Sequence, residues 1–422
     1  MATTSDADPA TSTDARSTGK AGIYLAVLQL VFTLGWTIYV VYLPQLAAKV
    51  GIPAGMVIVI LLLDQAIFTI TDTLMGIAAD RMTPLAGRLS RFVVMATAIS
   101  CVAFLALPFV ANLGAQAQPV FLALIVIWAV TSSALRAPPL ALLGKFAARP
   151  SIPWLACLAM FGYGVAGAIS PYLGVALRNY DPRIPFVVSS VVLLLTAFGL
   201  SWIERQIREG ALKAAPRPQL LPGKPAARLT LIFVAAALVL ALGYQLHFSI
   251  NSAPLFLRFA KQPDLEWLMP VYWIGFNIAM FPASFITRRL GGLLVMGAAG
   301  LLGAGAVLGV ENAGSLNTML VMQFTAGAAW GCILMSAVAA AIAIGGRGSE
   351  GKVVGLMFSA IALATFARMA AVAAGWAKDP GYETLLHLAP IACWLLGGAV
   401  LFVLAVMRLR RWQRGEGLTA GP

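Results

Sequence analysis

Charge is scarce in this chain. Only 11% of its 422 residues are Asp, Glu, Lys or Arg, whereas 60% are hydrophobic, and the mean hydropathy is +0.88. An ordinary soluble domain carries about 25% charged residues, so a soluble globular protein is excluded. Histidine is scarcer still: His247 and His387 stand far apart and argue against a His-based metal centre. Cys101, Cys157, Cys332 and Cys393 have no close partner in sequence. They read as small packing residues, with neither a disulfide framework nor a metal site. No nucleophile, base and orienter stand together, so no enzyme, catalytic residue or cofactor is expected. Strand-like alternation is also missing, because the apolar runs are continuous and about 20 residues long.

Those runs recur along nearly the whole chain, as in a polytopic membrane protein. The reading gives an all-α integral membrane fold of twelve transmembrane helices. They lie near 22–48, 56–79, 91–110, 119–143, 153–178, 184–205, 229–257, 266–287, 291–310, 316–344, 353–377 and 384–407. Residues 1–20 are small and polar, with no basic region ahead of a short apolar core; they read as a disordered tail, not a signal peptide.

Most of the 29 basic residues fall on the side that holds both termini. Six fall opposite, namely Lys49, Arg178, Arg183, Arg258, Lys261 and Lys378. Such a bias predicts cytoplasmic termini in a plasma (inner) membrane. The net charge of +13 is therefore an orientation signal, with contact to membrane lipid, and not a nucleic-acid footprint.

The longest polar interruption, 206–228, is rich in Pro, Lys and Arg and divides the chain. Two pseudo-symmetric six-helix bundles, 21–205 and 229–412, are expected on either side of this cytoplasmic linker, with a short tail at 413–422. A weak internal echo agrees, since the first and seventh helices carry Pro44 and Pro254 near their outer ends, each followed by a Lys. Paired six-helix halves are a transporter architecture, with the substrate between them near the midplane.

Four ionisable side chains, Asp64, Asp72, Arg136 and Arg368, lie within the spans. Each costs roughly 2.5–3.5 kcal/mol at a helix centre, so they should be paired or protonated. At about 1.5 Å per residue, Asp72 and Arg136 share a depth about 24 Å from the outer surface. Asp64 and Arg368 share another, about 10–12 Å down. A carboxylate that loses its Arg in low dielectric favours the protonated form, which would link movement of the halves to proton exchange. The alternative is a pair of static structural ion pairs. Polar and aromatic side chains that could line a cavity are Trp36, Tyr39 and Gln45 with Tyr42 on helix 1, and Tyr244, Gln245, His247 and Asn251 on helix 7. Asn277, Gln323 and Trp330 extend this set, which suits a hydroxylated or amphipathic solute.

The stretch Gly76-Ile-Ala-Ala-Asp80-Arg81, followed by Gly87-Arg88, resembles the helix 2–3 signature loop of the major facilitator superfamily. The resemblance implies a gating role for Gly76, Asp80, Arg81, Gly87 and Arg88. Asp80 could pair with Arg81 or Arg88, or accept from a neighbouring helix N-terminus. Asp72-Thr-Leu-Met-Gly76 is similar to the helix-2 element of the melibiose permease-like cation symporters, where the Asp lies at the coupling-cation site. Arg136-Ala-Pro-Pro-Leu is similar to the end of helix 4 in sucrose-transporter relatives. Phe68 stands where the melibiose group has a second carboxylate, and Thr73 where it has Pro, so a proton is expected in preference to sodium.

Gly346 to Lys352 nearly matches a phosphate-binding loop, but the hydroxyl after the Lys is missing and no strand precedes it, which excludes an ATP-driven pump. The reading is thus a monomeric secondary transporter of a small organic solute, by proton-coupled symport. The rivals are a proton-coupled efflux antiporter and a non-transporting receptor or assembly factor.

Overall fold

The computed structural model describes residues 9–82, 87–146, 151–213, 227–346 and 348–413. Among them there is no strand, and twelve helices are long and apolar enough to cross a membrane. We number these spans α1 (Gly19–Lys49), α2 (Ala54–Met82), α3 (Arg88–Ala111), α4 (Ala115–Gly144), α5 (Ile152–Ala176) and α6 (Arg183–Arg205). The second half comprises α7 (Ala227–Phe256), α8 (Gln262–Leu290), α9 (Gly292–Glu311), α10 (Leu316–Gly345), α11 (Glu350–Ala373) and α12 (Pro380–Arg411). An even number of crossings puts both termini on one face, called here the termini face; the other is the far face.

The packing repeats itself. In the first half α1 lies on α5 and α6, and α3 lies on α4 and α6. In the second, α7 lies on α11 and α12, and α9 on α10 and α12, the same arrangement six helices later. The two main contacts between the halves, α2 with α11 and α5 with α8, exchange under the same shift. The halves are therefore related by a pseudo-two-fold axis.

Small residues let these helices approach. On α9, a Cβ at Gly297, Gly300 or Gly303 would strike α12 at Phe402, Gly398 and Trp394 respectively. Trp394 is fully buried and donates its Nε1–H to the Leu240 carbonyl of α7 at 2.8 Å, so three helices of the second half are tied through one indole.

Two spans break where their prolines require it. The helix Gln118–Ser132 ends in a 3₁₀ turn, Ser133–Leu135, and resumes at Ala137–Phe146 with Pro138 and Pro139 in its first turn. Neither proline can donate to the turn before it, so the chain loosens there and Arg136 sits at the break. In α7 a π-helical turn covers His247–Asn251, ahead of Pro254, which cannot donate to the Ile250 carbonyl.

Helix boundaries differ from expectation at three places. The first helix starts at Pro9, inside the stretch expected to be a disordered tail; Pro suits a first helical position, and no further Pro interrupts before Pro44. The helix that contains α6 runs on to Lys213, into the expected linker, whose remainder at 214–226 lies outside the described residues. The last helix ends at Gln413, and the tail from 414 also lies outside them.

Candidate functional site

At the termini face the halves are latched by α2 and α11. A Cβ on Gly76 would collide with the Gly351 carbonyl oxygen, and one on Gly355 with the Asp72 carbonyl. This close crossing brings Asp80 onto the first turn of α11. Its Oδ1 accepts from the Gly351 N–H at 2.8 Å and its Oδ2 from the Lys352 N–H at 2.7 Å. A carboxylate is well placed there, because those donors have no partner within their own helix and the helix dipole favours an anion. Of the partners considered for Asp80, the helix N-terminus supplies a hydrogen bond to each oxygen. Arg81 and Arg88 are exposed, Arg88 opening α3.

Gly87 precedes α3 with φ +70°, a left-handed conformation in which a side chain is strained. Its N–H and that of Ser90 donate to Glu204 at 3.2 and 3.3 Å, so the end of α6 caps α3 as α2 caps α11. On α4, Gly144 meets Ile342 of α10 and Glu350 of α11, a further contact between the halves on this face.

Inside the first half, Arg136 Nη1 donates to Asp72 Oδ2 at 2.8 Å, and the guanidinium lies 4.3 Å from the centroid of the Phe68 ring. Asp72 is wholly buried. Thr71 shares a hydrogen bond with Ser133 at 2.7 Å beside the pair, and Thr73 reaches Ser359 of α11 at 2.7 Å. The helix-2 polar cluster thus touches both its own half and the other.

Asp64 is placed differently. It is 0% exposed, accepts from the Tyr39 hydroxyl at 2.8 Å through Oδ2, and leaves Oδ1 without a partner. The pairing with Arg368 suggested by equal depth is not present in this conformation. Arg368 instead faces α7, within electrostatic reach of Tyr244, and its Nε has no hydrogen-bond partner. Equal depth does not fix rotation about the helix axis, and Asp64 is turned toward α1.

The expected cavity residues divide into three groups. Tyr244, His247, Asn277, Gln323 and Trp330 belong to one polar and aromatic core within the second half. Tyr244 stacks on Trp330 at 4.5 Å, and His247 Nε2 lies 3.1 Å from Gln323 Oε1, whose amide donates to Ser252 at 2.9 Å. Trp36 and Tyr39 pack instead against Trp128 at ring distances of 5.7 and 4.4 Å, inside the first half. There Trp36, Phe68, Trp128, Ser132, Ser190 and Arg136 border a cavity of about 30 Å³, enough for one or two waters.

The others hold helices together. Gln245 donates to Thr365 of α11 at 2.8 Å, and Asn251 to the Leu386 carbonyl of α12 at 2.8 Å. Tyr42 donates to the Leu177 carbonyl at 2.6 Å, and Gln45 is exposed at the far face near Lys49 and Asp181. Gln45 is thus not a central residue: it lies near the far-face end of α1, away from the stripe that carries Tyr39.

Three central residues escaped the sequence reading. Tyr163 of α5 meets Trp273 of α8 edge-on at 5.6 Å, its hydroxyl faces that of Tyr244, and it lies within electrostatic reach of Arg136. Tyr272 lies 6.0 Å from Tyr244, ring to ring, and 6.3 Å from His247. The signal available was the adjacent Tyr272-Trp273 pair and the Gly162-Tyr163-Gly164 triplet, where bare backbone flanks one aromatic.

Twelve spans in two pseudo-symmetric halves, latched at one face around buried charges, define a membrane transport protein rather than an enzyme. The chain belongs to the Major Facilitator Superfamily, whose family model matches residues 25–368. Similar solved structures include a bacterial homologue of the iron transporter ferroportin in an outward-facing state, with TM-score 0.70 and 13% identity over 92% of this chain and 100% of that one. The human organic anion transporter MFSD10 (TETRAN) gives TM-score 0.61 at 16% identity, covering 95% and 99%. The E. coli fucose:proton symporter FucP gives 0.60 at 14% identity, covering 93% and 99%. At these identities the likeness is one of fold. No curated protein is similar enough in sequence to be matched to this chain.

Proposed function

We propose that the protein is a proton-coupled symporter that takes up a small organic solute by alternating access. It would act as a monomer in the plasma (inner) membrane, with the termini face cytoplasmic. The observation that carries this reading is Asp64: a carboxyl group within a span, wholly buried, with a phenol as its hydrogen-bond partner and one oxygen unpartnered. Such a group is costly unless it serves an ion pathway. The Asp72–Arg136 pair is the second coupling element, since it touches α11 through the neighbouring Thr73–Ser359 bond and would feel the halves move. Asp80, with Gly76, would hold the termini face shut in the conformation described here.

Two structural neighbours are named for small organic solutes, one of them with a proton, which agrees with this reading. The iron of the third is not carried over, because the described residues contain no group of three His, Cys, Asp or Glu side chains able to hold a metal ion.

The test is solute-driven proton movement in proteoliposomes that enclose a pH-sensitive dye, challenged with pooled sugars and organic acids. Symport predicts acidification of the lumen when an active solute is added outside. Alkalinisation would assign the antiporter instead, and no response to any pool would overturn proton coupling.

A further inference from the structure

The charges at the centre do not all pair. Arg136 is matched by Asp72 at 2.8 Å. Among the described residues, no carboxylate lies within salt-bridge distance of Arg368. A guanidinium in a span is kept at a cost of a few kcal/mol, and it cannot shed its proton to escape that cost.

Unmet hydrogen-bonding groups gather on the same side of the interface. The Arg368 Nε, the Trp330 Nε1, the Tyr272 hydroxyl, the His247 Nδ1 and the Asn277 Oδ1 are all buried without partners. They come from α7, α8, α10 and α11; Tyr244 stacks on Trp330 at 4.5 Å, lies 6.0 Å from Tyr272 and is within electrostatic reach of Arg368. Each unmet buried group costs about 1–3 kcal/mol, so five within one half are hard to reconcile with a core that serves packing alone. Among the described residues the first half has three unmet atoms, Asp64 Oδ1, Asp72 Oδ1 and Ser190 Oγ, none of them on a cation, and the second half has one more, Glu311 Oε1 at the end of α9.

We infer that the transported solute is an organic monoanion whose carboxylate is held by Arg368, beside Tyr244. This deepens the transport reading above and rests on it for the word transported; the binding site itself does not. One unmatched cation calls for one negative charge. The guanidinium presents a planar fork that fits a carboxylate with two parallel bonds. The unpartnered Trp330, Tyr272 and His247 groups can satisfy polar substituents of such a solute. Arg368 is part-exposed, unlike the buried groups around it.

The test is ligand-induced thermal stabilisation of the purified full-length chain, with acids and their uncharged or cationic counterparts as probes. Benzoate and phenylacetate are compared with benzamide, phenylacetamide and phenethylamine. The acids should stabilise by mass action and the amides and amine should not. Arg368→Gln should weaken acid binding about a hundredfold, the range found when one partner of a buried charge pair is truncated. Arg368→Lys keeps the charge but loses the fork, and should weaken it about tenfold. This second variant guards against a Gln variant that fails to fold. Equal stabilisation by acids and amides overturns the inference, as does no response to the acids or undiminished acid binding in Arg368→Gln. If the acids bind through Arg368 yet vesicles show no solute-linked proton movement, the coupling reading falls and this site stands. If a neutral solute moves protons while the acids do not bind, the reverse holds.

Discussion

Asp80 and Gly351 lie in different halves of the protein, 271 positions apart, yet the Asp80 carboxylate accepts the Gly351 N–H at 2.8 Å. With the Lys352 N–H on the other oxygen, one side chain at the end of α2 completes the first turn of α11. On the gating role proposed above, this contact would exist only while the termini face is shut. It would then act as a latch whose strength bears on conformational exchange and not directly on ligand binding. Asp80→Asn retains one acceptor and loses the charge, a change of about 2 kcal/mol, or roughly a 30-fold shift in the balance of the two conformations. Transport should slow while ligand affinity changes less than about threefold. A cysteine placed at Ile342, on the sealed face, should react faster with a polar thiol reagent in this background; unchanged reactivity with lost affinity would refute the latch.

The latch depends on bare backbone at Gly76. Gly76→Val adds a side chain where the Gly351 carbonyl already sits, so α2 and α11 must separate at that end. The expected result is protein that accumulates normally but transports at least about tenfold more slowly, since one end conformation is lost rather than the fold. Gly305, with open space around its Cβ position, serves as the control: Gly305→Ala should change neither quantity. Equal effects at both positions would mean that glycine matters here only for helix stability.

The Asp72–Arg136 pair differs in kind, because both partners belong to one half. Removing either alone strands a charge, at a cost of about 3 kcal/mol, toward the low end for buried pairs because Arg136 is partly exposed. Asp72→Asn and Arg136→Gln should each lower the thermal midpoint of the purified protein. The double variant should recover most of that stability, since replacing both partners leaves no lone charge. Proton-linked uptake should stay absent in the double variant. If uptake returns along with stability, the pair is a structural tie and Asp72 has no part in coupling.

The residues that were legible in the sequence are those whose position follows from one coordinate, depth along a helix. Asp72 and Arg136 were placed level by counting residues, and Pro138 and Pro139 set the break that lets Arg136 reach across. Asp64 and Arg368 were also placed level, but a second coordinate, rotation about the helix axis, decides their partners. That rotation is fixed by packing: Tyr39 is held in an aromatic cluster with Trp36 and Trp128, and offers its hydroxyl to Asp64. Asp80 met the helix terminus that was one of its expected partners, because the α2–α11 crossing at Gly76 brings the two together. Gln45 and Asn251 looked suited to a cavity by residue type, yet polar type alone cannot tell a cavity wall from a helix tie. Tyr163 and Trp273 went unnoticed because their meeting depends on the α5–α8 contact between halves, and Tyr272 because its neighbours Tyr244 and His247 lie on another helix, α7.

The second-half core should report on Arg368 through fluorescence. Trp330 is fully buried, stacked on Tyr244, and lacks a partner for its indole N–H. A bound solute that meets this group should shift its emission. Trp330→Phe keeps an apolar face while deleting the donor, and should remove most of the ligand-dependent signal while weakening binding about threefold to tenfold. A ligand-dependent signal that survives Trp330→Phe intact would place the solute elsewhere among the ten tryptophans.

Asp64 gives the sharpest separation between a coupling group and a structural one. Its hydrogen-bond partner is Tyr39, so Tyr39→Phe removes that partner without touching the carboxyl group, whereas Asp64→Asn removes the titrating group and keeps an acceptor for the phenol. If Asp64 exchanges the coupled proton, Asp64→Asn must change the shape of the uptake profile against pH, because the protonation step itself is gone. Tyr39→Phe must displace the profile along the pH axis while leaving its shape, because the group still titrates in altered surroundings. A structural role predicts something else: both variants lower the amount of folded protein, and the rate per folded molecule follows the wild-type profile at every pH. Initial uptake normalised to folded protein in proteoliposomes decides between them. Profiles that superimpose after scaling would remove Asp64 from the mechanism and leave the Asp72–Arg136 pair as the remaining proton-handling element within the described spans.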